Sequence, residues 1–291
     1  MLFSVVNEKG LADYNSAPFR VCFRGRERIA GVEYVSRQDG ETRRAEGDIV
    51  VLCAGTIETT KLLMASAAAP WWPDGVGNHS GHLGRHLKAH QLLVSRGQLP
   101  SNPRKAQQEL DFPTLCSRHF DTPEEQRMGK LFFVRSGLPR IAIENSIIAG
   151  KAIKEIEADI SGPAMVGFDG FLERFSLPEN RIALAKGVTD NGLPRTTVNY
   201  KQSDEEIAAA ERALALLESI LVTMGARSPS LTKLVPRIDH AISTCRMSRS
   251  ESDGVTDENL RVHGTDNLFI CSNAVMPTGG AVNPTLTLVA F

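Results

Sequence analysis

The sequence predicts an α/β protein with an α+β cap: a parallel sheet carried by the two ends of the chain, and between them an antiparallel sheet with flanking helices. Three observations predict it. Ile49-Val50-Val51-Leu52-Cys53 is continuously apolar, the pattern of a strand buried on both faces of a parallel sheet, and Ala54-Gly55 closes it before a helical run carrying Ile57, Leu62 and Leu63. Near the other end, Asn267-Leu268-Phe269-Ile270 is a short apolar strand that runs into a Gly/Pro-punctuated turn, Met276-Pro277-Thr278-Gly279-Gly280. Between them, short strand patterns sit beside helices with their own start and stop signals.

The chain has 291 residues, enough for one large domain or two ordinary ones around a sizeable core. With 33 Lys+Arg against 34 Asp+Glu the net charge is −1, so neither a basic field for nucleic acid nor a like-charged interaction tail is present. A 42% hydrophobic share is that of an ordinary soluble globular protein. The five cysteines are odd in number, far apart and form no C-x-x-C pair, which predicts buried free thiols rather than a disulfide framework. No apolar run is long enough to span a bilayer, and MLFSVVNEKG lacks the basic and apolar regions of a signal peptide. The compartment stays open between cytoplasm and periplasm.

In chain order, strands are predicted at 2–6, 20–23 and 29–35, with a turn at Gln38-Asp39-Gly40-Glu41, before the apolar strand ending at Cys53. Thr56 is the expected N-cap of the following helix. This strand–Gly–helix unit is either one more βα unit of a sheet or the edge that holds a nucleotide in α/β folds. After a loop, His82, His86 and His90 are spaced four apart and would share one face of a helix. They fit either a zinc or other transition-metal site or ordinary structural roles. No Cys or carboxylate joins them and two glycines weaken the helix, so no metal is expected.

Further on, 91–96 and 130–134 read as strands, 147–160 as a helix ended by Gly162-Pro163, and 168–175 and 181–185 as strands, the last bounded by Asp190-Asn191-Gly192. The clearest helix starts at Ser203, where Ser203 and Glu206 form a capping box. Ile207, Ala210, Leu214, Leu217, Leu221 and Met224 make its apolar stripe, and Gly225 stops it. At the end of the chain, Asn283-Pro284-Thr285 places a favoured N-cap before a proline at the first helical position. Such a helix start presents free N–H groups and a positive dipole end to an anion or an electron-rich ring.

The segments HAISTCRMS, GVTDENLRVHGTDNLFI and MPTGGAVNPTLTLVAF together resemble the carboxyl-terminal signature of the glucose–methanol–choline (GMC) flavin oxidoreductases. The Asn-Pro-Thr-Leu-Thr ending is more similar to that of the bacterial sugar and polyol dehydrogenases and the pyranose oxidases. Upstream, the run 48–59 resembles the family's second strand–Gly–helix element. Gly75-Val76-Gly77-Asn78 with Gly84-Arg85-His86-Leu87 and His90 resembles its GxGN…GRxLxxH loop. The match is weak between 91 and 180 and strong after 240.

The resemblance implies oxidation of an alcohol, sugar or polyol CH–OH group with FAD as cofactor. It makes 1–90 part of an FAD-binding domain, 91–230 a substrate-binding domain, and 231–291 the return to the FAD-binding domain with the catalytic motif. His240 and Asn283 fall on the catalytic pair. A neutral imidazole, with an ordinary pKa near ~6.5, accepts the alcohol proton, while the carboxamide holds the same oxygen and aims the C–H at flavin N5. Outside the motif, each has a duller reading as a structural histidine and a helix cap. The resemblance places Ala54 and Gly55 against the adenosine part of FAD, Asn78 toward the flavin or substrate, and Pro284 and Thr285 at the flavin edge. Ser272 and Asn273 stand where many relatives carry an acid and a small residue, so a backbone contact is expected there. Ser248 replaces the usual Gly after Arg-Met, and Asp257 and His263 are expected to be structural. Cys245 and Cys271 have no activating neighbour in sequence, so a reactive thiol is not expected at either.

The family's G-x-G-x-x-G fingerprint is not found in this chain. The expectation is therefore a fragment of a longer enzyme, with its amino terminus upstream and its last helix clipped. Such a fragment would bind FAD poorly alone and leave a raw sheet edge. A non-catalytic subunit that pairs with a separate FAD-binding half is the alternative. Which sugar is oxidised, and whether oxygen, a quinone or a cytochrome accepts the electrons, is not written in the sequence.

Overall fold

The computed structural model describes residues 2–7, 10–36, 38–100, 115–117, 130–136, 140–162, 165–189, 193–236 and 240–290. The first sheet is an antiparallel meander of β1 (Leu2–Asn7), β2 (Gly10–Arg24), β3 (Arg28–Ser36) and β4 (Thr42–Glu46), in that spatial order. Gly31 is where β3 and β4 come closest: a Cβ built there would lie 1.9 Å from the Ala45 carbonyl oxygen, so only glycine fits.

β5 (Val50–Leu52) pairs in parallel with β13 (Leu268–Ile270), Val50 opposite Leu268 and Leu52 opposite Ile270. Burial on both faces, expected from the apolar run, is not observed. Val50 and Leu52 are buried, but Ile49 is 58% and Val51 46% exposed. Among the described residues this sheet has only two strands, so period-2 alternation leaves one face open. α1 (Gly55–Ala65) follows β5. Thr56 is not its cap: the N-cap is Ala54, with no side-chain cap bond, and the Thr56 hydroxyl lies inside the first turn, donating to the Ala241 carbonyl at 2.5 Å. Leu62 and Leu63 of α1, Ile29 and Val32 of β3, β5, β13 and Trp72 form one core, which also takes in Val255 and Val262.

The segment 79–90 is a chain of turns, not a helix. Gly81 and Gly84 have φ of 72° and 80°, and His86 itself sits at φ 64°. The three histidines therefore do not share a helix face. His82 Nδ1 and His86 Nε2 meet at 2.9 Å, while His90 turns elsewhere. Among the described residues no group of three or more His, Cys, Asp or Glu is arranged to hold a metal.

The second sheet is antiparallel, with order β12-β6-β9-β8-β7: β6 (Gln91–Gln98), β7 (Leu115–Ser117), β8 (Lys130–Ser136), β9 (Met165–Leu172) and β12 (Arg227–Pro236). α4 (Asp204–Thr223) lies on it, burying Ala209, Ala210, Ala213, Leu217 and Leu221 against Leu93, Val166, Phe168 and Leu172. Its capping box forms as read: Glu206 N–H donates to Ser203 Oγ at 3.2 Å, and Ser203 N–H donates to Glu206 Oε2 at 2.9 Å. The ends of the predicted stripe differ. Ile207 and Met224 are 38% and 44% exposed, and the buried place near the start belongs to Glu206, which receives Arg174 at 2.8 Å. Small alanines let the helix close onto the sheet there.

The helix expected over 147–160 is two, α2 (Arg140–Ile148) and α3 (Ile153–Ser161), broken at Gly150 with φ 75°. Its predicted stop at Pro163, the turn 190–192 and the environment of Cys116 lie outside the described residues. β10 (Arg181–Val188) and β11 (Pro194–Asn199) form a separate ribbon, and α5 (Thr285–Ala290) is the short helix predicted after Pro284. Cys22 and Cys245 are buried free thiols as expected, but Cys53 and Cys271 are exposed. No described helix is long and apolar enough to cross a membrane.

Candidate active site

The segment after His240 is stitched to three neighbours. Ile242 N–H donates to the Lys88 carbonyl at 2.9 Å, Cys245 N–H to Ala274 at 2.8 Å, and Met247 N–H to Val275 at 2.8 Å. Ser243, held at φ 79°, donates its hydroxyl to the Met276 carbonyl at 2.7 Å. From α1, Thr56 reaches Ala241 and Thr60 bonds Thr244 at 2.7 Å. His240 thus emerges from a backbone fixed by the first core.

His240 Nδ1 lies 2.8 Å from His90 Nδ1, with the rings edge-to-face at 5.0 Å and Phe171 against both. The other His90 nitrogen settles the proton positions. His90 Nε2 lies 2.9 Å from the Gly280 carbonyl oxygen, which can only accept, so Nε2 carries the proton. Neutral His90 then accepts at Nδ1 from His240 Nδ1–H, and the lone pair of neutral His240 resides on its Nε2. Burial, followed by the proximity of His240, lowers the pKa of His90 and keeps that ring neutral, against the pull of the Gly279 and Gly280 carbonyls.

The turn before Asn283 is pinned from the second sheet. Glu173, just past β9, accepts from the Thr278 hydroxyl and from Gly279 N–H at 3.1 Å, and lies 3.7 Å from the buried Lys88 ammonium. Burial lowers the Lys88 pKa, opposed by Glu173. A Cβ on Gly279 would come within 2.7 Å of Ile242 Cδ1, so glycine lets this turn close over the His90–His240 pair. Asn283 is exposed and three residues past Gly280, hence within ~11 Å of it along even a fully extended chain. Pro284 is buried and Thr285 exposed.

Beside this pair opens a cleft of about 380 Å³ at the carboxyl ends of β5 and β13. Ala54, Gly55, Ser272 and Asn273 line it together with Ala241, the residue after His240, and Leu288 of α5. The start of α1, Gly55 to Glu58, also lines this space. Ser272 caps the 3₁₀ turn Asn273–Val275 by accepting from Ala274 N–H at 3.3 Å. Asn273 Oδ1 is buried and lacks a hydrogen-bond partner among the described residues, as do both carboxamide atoms of Gln91, next to His90. Asn78, Pro284 and Thr285 are not among the lining residues. Both ends of the Asn78 side chain are occupied by its own loop, the amide donating to Asp74 O at 2.9 Å and the carbonyl accepting from Leu83 N at 3.1 Å. Sequence reasoning missed Glu173, which stands in no motif, and read Thr56 as a helix cap rather than as the residue that holds Ala241. It singled out His90 as a member of an evenly spaced histidine set and as the last residue of the GxGN…GRxLxxH loop, but gave it no role beside His240.

Two GMC oxidoreductase family models match the chain, an amino-terminal one over 16–92 and a carboxyl-terminal one over 176–291. The chain is 26% identical over 270 residues to a 6'''-hydroxyparomomycin C oxidase of Streptomyces lividus, covering 90% of this chain and 46% of that protein. It is 26% identical to a 2-methyl-1,2-propanediol dehydrogenase of Mycolicibacterium austroafricanum, covering 91% and 50%, and 25% identical to a fructose dehydrogenase large subunit of Gluconobacter japonicus, covering 91% and 49%. The chain thus spans about half the length of the curated relatives it matches. Among solved structures, a pyridoxine 4-oxidase superposes with TM-score 0.58 at 19% identity, over 94% of this chain and 55% of that one. A formate oxidase of Aspergillus oryzae, in a structure concerned with its FAD modification, superposes with TM-score 0.62 at 15% identity, over 94% and 58%. Motif, geometry and these matches agree: the chain belongs to the GMC oxidoreductase family.

Proposed function

We propose that this chain carries the alcohol-activating part of an FAD-dependent oxidoreductase that acts on a CH–OH group of an alcohol, sugar or polyol. The observation that carries this reading is the His90 bridge, which bonds the imidazole of His240 on one side and the turn leading to Asn283 on the other. His240 is the base. With Nδ1 donating to His90, its Nε2 is the nitrogen that takes the hydroxyl proton. Asn283 hydrogen-bonds the same oxygen and orients the substrate as charge develops there.

The residues present fit FAD. The cleft opens at the ends of two parallel strands beside a helix start, where nucleotides sit in α/β folds, and Asn273 Oδ1 is buried there without a partner among the described residues. Ala54 and Gly55 would hold the adenosine side, Ser272 and Asn273 the middle, and Pro284 with Thr285 the flavin edge; Asn78 braces the loop beneath. When bound, FAD supplies the hydride acceptor. Everything else in the step falls to the chain: binding the alcohol, orienting its C–H and removing its proton. In domain terms, 1–90 and 231–291 would form the cofactor side and 91–230 the substrate side.

That the relatives include a 6'''-hydroxyparomomycin C oxidase, a 2-methyl-1,2-propanediol dehydrogenase and a fructose dehydrogenase large subunit supports a sugar or polyol as substrate. The test is anaerobic addition of a panel of sugars and polyols to the FAD-loaded enzyme. Loss of oxidised-flavin absorbance with at least one of them is expected; a flavin that none of the panel reduces would count against the reading.

A further inference from the structure

Cys53 and Cys271 end the two parallel strands of the cofactor-side sheet. In β5 and its continuation, Val50 and Leu52 are buried while Val51 and Cys53 are exposed; in β13 and its continuation, Leu268 and Ile270 are buried and Cys271 is exposed. The two cysteines therefore fall on the same open face. The register sets Leu52 opposite Ile270, and the ladder continues one step further, with Cys271 N–H donating to Leu52 O at 3.0 Å. Cys53 and Cys271 are thus neighbours across adjacent strands, about 4.8 Å apart at the backbone. That separation lies inside the range a disulfide spans, roughly 4.4–6.8 Å between Cα atoms. Both thiols are free, and both line the cleft. The pKa of the Cys53 thiol is raised first by burial and then by the neighbouring Cys271 and its hydrogen bond, which holds back the thiolate, so exchange quickens as the pH rises.

We propose that Cys53 and Cys271 form a dithiol site that closes to an intramolecular disulfide by exchange with a small disulfide such as oxidised glutathione. One thiolate attacks the small disulfide, forming a mixed disulfide and releasing the first glutathione thiol. The second thiolate then attacks the protein sulfur and expels the second, so the pair loses two electrons and two protons and the small disulfide gains them. The bond would tie together the two strand ends that open onto the cleft. It rests on strand register and exposure and does not depend on the proposed reaction, and the test is run without added FAD because both thiols line the cleft that FAD would fill.

The test is peptide mapping without reduction after incubation with oxidised glutathione, acid quenching and alkylation in denaturant. A peptide joining Cys53 to Cys271, in a chain that still migrates as a monomer and reverts with dithiothreitol, is the expected result, with Cys22 and Cys245 left to the alkylating agent. In Cys53→Ser the cross-link should vanish and Cys271 should retain a glutathione adduct. Separate adducts on the two wild-type cysteines, untouched thiols, or a disulfide between two chains would each overturn the proposal. Because the wild-type map decides alone, a variant that fails to fold does not blunt the test.

Discussion

A histidine takes a proton from an alcohol only through a ring nitrogen that carries a lone pair, and at His240 that choice is made by His90. The hydrogen bond from His90 to the Gly280 carbonyl fixes one tautomer, and the contact between the Nδ1 atoms passes it on. Replacing His90 with Phe keeps the packing against Phe171 but frees the tautomer. We expect flavin reduction by substrate to slow by about tenfold or more with substrate binding little changed, read as a kcat effect at constant KM in stopped flow. Asn283→Ala should lose about two to four kcal/mol of transition-state stabilisation if its carboxamide serves the developing charge; steady-state kinetics measures this as a drop in kcat/KM. The sequence delivered His240 and Asn283 through their motif, but even spacing could not reveal that His82 pairs with His86 while His90 leaves them. That division follows from the left-handed turn at His86.

His86 also makes a pH prediction. Burial, then the nearby Arg246, His82, Arg85 and Lys88 charges, lower its pKa to about 4. Its folded-state pKa lies below the unfolded value, so the unfolded chain binds the extra proton first as pH falls. Stability contributed by the neutral ring is therefore complete above about pH 6.5 and is lost progressively down to about pH 4, by at most about 3 kcal/mol. Denaturant midpoints measured across that range should fall, and His86→Gln should flatten the decline.

At the scale of elements, α4 shows what the sequence discloses and what it withholds. Ser203, Glu206 and Gly225 marked its ends because capping chemistry is local. The partner of Glu206 was invisible, since Arg174 lies at the end of another strand. The carboxylate contributes both to the cap and to a buried ion pair, so Glu206→Ala leaves the Arg174 charge buried and unpaired. Chemical denaturation should register a loss of about 3–5 kcal/mol. The two-faced burial assigned to β5 failed for a related reason. An apolar run reports what a strand tolerates, whereas coverage depends on elements contributed from elsewhere, and here only β13 lies beside it among the described residues.

For the whole molecule, both layers contribute to the site: the first core holds the backbone around His240, and the second sheet supplies Phe171, Glu173 and the start of β6 after His90. These ties join segments far apart in sequence, which is why motif reading nominates candidate residues but not the scaffold around them. If the cleft is the FAD site, the cofactor should stabilise the fold by mass action, by about 2.7 kcal/mol at a hundredfold excess over Kd, and thermal melts with and without FAD read that shift. The central claim is that His240 removes the alcohol proton, and the rate of anaerobic flavin reduction by substrate in His240→Ala tests it most directly. With FAD retained, the rate should fall about a hundredfold or more. An unchanged rate would contradict the assignment.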